Sequence, residues 1–180
     1  MQGKTTDQLR GSWHNFSKYR PLIRELVTRD LKVKYRRSFL GYVWSILNPL
    51  LMMLLQTLVF SYMFRFQIEN FPLYLICGNT LFNFFNESTN MGMGSVLGNS
   101  SLIKKVYVPK FIFPISRVVS SFVNLLFSLA AIILVMLITR SPFHLTILLV
   151  WAPLVLLFLF TCGMALLLSA LAVYFRDLQY

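Results

Sequence analysis

Four long apolar runs separated by short polar stretches dominate the chain. They extend from about Tyr42 to Phe64, Phe71 to Leu97, Phe111 to Ile138 and Leu145 to Phe175. Each reaches the ~20 residues that a helix needs to cross ~30 Å of hydrocarbon. The pattern predicts an all-α membrane protein with four transmembrane helices. The fourth run exceeds the required length most, so it must tilt, bend or emerge. Pro49 interrupts the first run and predicts a kink there.

The second run departs from the others. Asn79, Asn83, Asn86, Glu87 and Asn90 fall within an arc of about 100° when wound as a helix. Polar groups are costly in lipid, so this stripe must face other helices or water. Three readings fit: a transport path, interhelical amide bonding, or a re-entrant or extramembrane segment. Farther along, Gly94 and Gly98 give a small-xxx-small spacing suited to close helix packing. The third run is conventional, and the fourth holds Pro153, Cys162 and Gly163, which permit bends or close approach.

Residues 1–19 are polar and without periodicity, and read as a flexible cytoplasmic tail. Residues 20–41 carry Leu22, Ile23, Leu26, Val27 and Leu31 at helical spacing, with Arg24, Glu25, Arg29 and Lys32 mostly between them. This predicts an amphipathic helix lying on the membrane surface. The alternative is a helix packed on a partner. Residues 42–180 form the transmembrane domain. Between its second and third spans, residues 99–110 hold a cap at Ser100 or Ser101 and room for one or two helical turns, stopped by Pro109 and, just beyond the segment, Pro114. The result is a basic, aromatic knob better suited to docking than to simple connection.

Charge orients the spans. Of the seventeen Lys and Arg, fifteen fall on one side and two, Arg65 and Arg140, on the other. The positive-inside bias places the amino terminus and the 99–110 segment in the cytoplasm. Mean hydropathy of +0.65 and only 13% charged residues argue against a soluble domain. The formal charge of +11 is concentrated beside the first span, where anionic headgroups account for it. No nucleic-acid-binding pattern accompanies it. The amino terminus lacks the form of a cleaved signal peptide. Cys77 and Cys162 are far apart within apolar runs, and suggest neither a disulfide framework nor a zinc site. His14 and His144 lie on opposite sides in this topology. Metal ligands are not expected, nor is a catalytic motif evident.

The stretch Leu22–Gly41 running into Trp44–Leu50, the segment Leu102–Lys110 and the closing Tyr174–Asp177 together resemble the membrane-spanning subunits of polysaccharide-exporting ABC transporters. These include the O-antigen, capsule and teichoic-acid exporters, and the likeness covers about residues 20–180. Such subunits usually have six spans. This implies a truncated chain, with the last two spans and the external gate helices absent.

The resemblance further implies a homodimeric permease of the bacterial inner membrane that moves a lipid-linked polysaccharide. Each copy would dock on a nucleotide-binding ATPase subunit. That subunit would hold ATP and Mg, leaving this chain without a cofactor or catalytic residue. The coupling role falls on Ser101, Leu102, Lys104, Lys105, Tyr107, Pro109 and Lys110. Arg29, Lys34, Arg36 and Arg37 would face the ATPase and the lipid pyrophosphate, for which arginine forks have suitable geometry. The transport path would draw on Tyr42, Trp44 and Tyr62 with Asn79, Asn83, Asn86, Glu87 and Asn90. Two other classes remain open: an ion-coupled carrier that protonates Glu87, and a membrane-embedded lipid-sugar enzyme. The latter would need clustered acids, whereas Glu25, Asp30 and Asp177 are scattered among bases.

Overall fold

The computed structural model describes residues 3–35, 43–63, 70–105, 108–139 and 149–175, with side chains described from Tyr19 onward and not at 61–63. Among the described residues there are seven helices and no strand: α1 Gly3–Tyr35, α2 Val43–Met63, α3 Phe71–Met93, α4 Ser95–Gly98, α5 Ser100–Lys105, α6 Ile112–Ile138 and α7 Trp151–Tyr174. Three of them, α2, α6 and α7, are long and apolar enough to cross a membrane by length and composition. At 23 residues α3 is also long enough, but its amides and Glu87 lower its hydropathy.

The bundle answers that polarity by placing α3 among the others. It packs most extensively on α6, then on α7 and α2. Phe84, Val118, Leu125, Leu154 and Ala165 form one buried cluster between α3, α6 and α7. Ile76, Ala131 and Val135 form another, to which α2 adds Ile46, Leu50 and Met53. Edge-to-face contacts link Phe84 to Phe122 and Phe122 to Phe158, at ring separations of 5.8 and 4.9 Å. Small residues set the α3–α7 distance. A Cβ on Gly92 would stand 2.7 Å from the Ala165 Cβ. The close approach therefore uses Gly92, whereas Gly98 and Gly163 have open space where a side chain would go. Asn70, left-handed at φ 52°, leads into α3, and Pro72 occupies its first turn. Asparagine tolerates that conformation better than most residues.

α1 differs from its expected form in two ways. It is one helix from Gly3 to Tyr35 with Pro21 inside it, so residues 3–19 are helical instead of a flexible tail. No proline precedes Pro21 to break the helix. Its apolar face also meets protein rather than lying free on a membrane surface. Ile23 and Leu26 are buried in a cluster with Ile112 and Phe113, flanked by Tyr19, Leu22, Val27, Leu102, Ile103 and Val108. The amino end of α1's apolar face, the short α5 and the start of α6 thus share one core.

Candidate functional site

Two features gather at the basic end of the bundle, where α1 lies across α6. The first is the segment between α3 and α6. Asn99 organises its start: its carbonyl accepts the Leu102 and Ile103 amides, and its side chain donates to the Ser95 carbonyl at 2.7 Å. Six residues of α5 follow. Leu102 and Ile103 turn into the shared core, while Ser101, Lys104, Lys105 and Lys110 are exposed and Pro109 is half-buried. The segment is an apolar-backed, cationic-fronted knob anchored on two longer helices. Tyr107 lies outside the described residues.

The second feature is a polar cleft of about 120 Å³ between the end of α1 and helices α2, α3 and α6. Trp44, Asn48, Thr80, Asn83, Glu87, Asn124 and Ser128 are among its lining residues. A second cavity of about 450 Å³ lies alongside Arg29, Asp30, Met91, Asn99 and Arg117. Lys34, Glu87 and Asn124 line both. The two spaces adjoin.

A bonded network crosses the boundary between them. Lys34 Nζ stands 2.6 Å from Glu87 Oε1, and Asn124 Nδ2 donates to the same oxygen at 3.3 Å. Tyr35 donates its hydroxyl proton to Asn124 Oδ1 at 2.7 Å and is also bonded to the Ser45 hydroxyl. Lower on α1, the nearly buried Asp30 carboxylate meets Arg117 Nη1 at 3.0 Å, an ionic contact rather than an aligned hydrogen bond, and Arg29 at 3.3 Å. Arg29 also donates to Asn99 Oδ1 at 3.2 Å, which ties α1 to the base of α5.

The polar arc of α3 therefore divides. Asn79 bonds to Gln56 of α2, and Glu87 joins α1 and α6, as interhelical bonding requires. Asn83, Asn86 and Asn90 remain exposed, with Asn90 donating along its own helix to Asn86 at 2.8 Å. Trp44 is 45% exposed at the mouth of the cleft. Arg36, Arg37 and Tyr42 lie outside the described residues, as does the side chain of Tyr62. The two described cations expected to meet pyrophosphate, Arg29 and Lys34, are both already paired with acids.

Several site residues are absent from the sequence reading. α6 is less conventional than its hydropathy implies. Ser116, Ser120, Asn124 and Ser128 recur every fourth residue, and the first three are buried. This spacing was available as a signal, but the surrounding Leu, Val and Ile masked it. Tyr35, Asp30, Arg117 and Asn99 carried no comparable periodicity.

Long apolar helices enclosing a polar cleft, with cationic side chains collected at one end, define a polytopic α-helical membrane protein of the transport type. The chain belongs to the ABC-2 type transporter membrane family, which residues 21–180 match. It is 36% identical over 166 residues to the "O-antigen export system permease protein RfbA" of Myxococcus xanthus, covering 90% of this chain and 62% of that protein. A Klebsiella pneumoniae protein of the same name is 32% identical over 157 residues, covering 86% and 60%. The "Polysialic acid transport protein KpsM" of Escherichia coli is 26% identical over 167 residues, covering 87% and 62%. The chain thus spans about three fifths of the length of these relatives.

Proposed function

We propose that the chain is the membrane-spanning part of an ATP-driven exporter of lipid-linked polysaccharide, of O-antigen or capsule type, in the inner membrane. The observation that carries this reading is α5. It is too short to stand alone, yet it is fixed to α1 and α6 through Leu102 and Ile103, with Lys104 and Lys105 facing outward. Such a segment can transmit a push from a docked subunit to two longer helices at once. The docked subunit is a nucleotide-binding ATPase that supplies ATP and Mg, and the basic end of the bundle faces the cytoplasm by the positive-inside bias. A second copy of the chain, or the water-filled path between copies, covers Asn83, Asn86 and Asn90. Relatives named for O-antigen and polysialic acid transport support the substrate class. The carrier alternative finds less support, because Lys34 already neutralises Glu87.

The test is co-purification of the full-length tagged protein with its ATPase, with ATP turnover followed upon addition of lipid-linked glycan. Lys104→Glu with Lys105→Glu is expected to leave the protein folded and membrane-inserted while abolishing glycan-stimulated turnover. Unchanged coupling in that variant would remove α5 from the docking role.

A further inference from the structure

The polar cleft is small for a glycan. Its 120 Å³ of space open to water centres would hold about ten waters at ~10–15 Å³ of such space each, short of a threaded chain of sugar rings. If the path proposed above runs through it, the cleft must widen, and the network at its boundary determines what must break. That network is centred on one ion pair. Lys34 comes from the last turn of α1 and Glu87 from α3, and both line the cleft and the larger cavity. Behind the pair, Tyr35 and Asn124 join the end of α1 to α6, and Ser45 joins it to the start of α2.

α1 connects this point to the docking knob. Tyr19, Leu22 and Val27 rest in the core shared with α5 and α6. Lys34 follows Val27 by seven residues, about 10 Å along a helix rising ~1.5 Å per residue. Arg29 and Asp30 fasten the middle of this lever to Asn99 and Arg117. A displacement of α5 thus reaches the pair through a single stiff element.

We infer that Lys34 and Glu87 form a latch. Closed, it holds the end of α1 against the bundle and shields the inner wall of the cleft; released by movement of α1, it opens the cleft toward the larger cavity. The mechanical meaning rests on the proposed export function, but the latch itself is measurable without export.

Thr80 reports on it. The residue lines the cleft, is 5% exposed, and its hydroxyl has no hydrogen-bond partner among the described residues. Thr80→Cys therefore sacrifices no such bond. The chain's two cysteines, Cys77 and Cys162, can be replaced by alanine to leave this thiol alone. The measurement is the labelling rate of that thiol by a cationic methanethiosulfonate reagent, on the full-length protein in permeabilised membranes.

Lys34→Gln and Glu87→Gln are each expected to raise the rate roughly fivefold, equivalent to about 1 kcal/mol for a partly exposed pair. The double substitution should raise it no further, because both remove the same interaction. Lys34→Arg keeps the charge and should retain the slow rate, which separates latch loss from general loosening. Unchanged rates in the single variants, effects that multiply in the double, or a Lys34→Arg variant as fast as Lys34→Gln would each overturn the latch. None of these outcomes bears on whether an ATPase co-purifies, so latch and export function fail independently.

Discussion

At the scale of single residues, the contacts that matter most here are small or charged side chains in places where lipid-facing helices would carry leucine. Gly92 lets α3 and α7 touch, with Ala165 filling the space that a Cβ would need. Gly92→Ala is expected to lower stability by about 1–3 kcal/mol through overpacking. It should appear as a reduced thermal midpoint of the detergent-solubilised protein, and Ala165→Gly in the same chain should recover most of the loss. Asp30 shows a different economy. Its side chain is 93% buried yet sits between Arg117 and Arg29, so charge holds α1 between the core at Val27 and the buried Tyr35. Val33, one turn farther on, is 71% exposed.

At the scale of elements, α6 changes character from its first half to its last turns. Ile133, Leu134, Leu137 and Ile138 are exposed, as lipid contact requires, while Ser116, Ser120, Ser121 and Asn124 are buried. Serine stripes of this kind permit close backbone approach and supply hydroxyls that bond back to their own helix, as Ser120 does to the Ser116 carbonyl at 2.9 Å. Ser120→Leu is expected to destabilise the bundle by about 1–3 kcal/mol, whereas Leu137→Phe, 62% exposed in the native chain, should change it by less than about 0.5 kcal/mol. Denaturant titration of the two purified variants compares them directly. α7 uses the same device, with Thr161, Ala165 and Ser169 buried at four-residue intervals amid a helix otherwise uniformly apolar.

At the scale of the whole molecule, the charged side chains among the described residues gather at one end. Lys34, Arg29, Arg117, Lys104 and Lys105 belong to elements that meet where α1 crosses α6. If that end faces the cytoplasm, Ser101→Cys in a cysteine-free background should be labelled by an impermeant thiol reagent in inverted vesicles and protected in right-side-out ones. The opposite pattern would reverse the proposed topology. The cleft and the larger cavity enter the bundle from this same region, so a docked subunit would act beside the opening rather than at a distance from it.

By itself, the sequence determined the helical class, the long helices and the family. Those follow from hydropathy over twenty-residue windows and from motif residues close in the chain, both local quantities. Basic residues and Pro109 also set residues 99–110 apart as a local break, but the structure starts α5 at Ser100 with Asn99, rather than a serine cap, organising the turn, and Pro114 falls inside α6. Tertiary structure alone decided which polar residues pair. Lys34 and Glu87 are separated by 53 positions and Tyr35 and Asn124 by 89, and no periodicity links them. It likewise decided that Gly92, rather than Gly98 of the Gly94–Gly98 spacing, carries the close packing, because the position of α7 sets which glycine meets a neighbour. The apolar face of α1 was legible as a face, but its partner was not: amphipathicity specifies that a surface must be covered, and the path of the chain specifies by what.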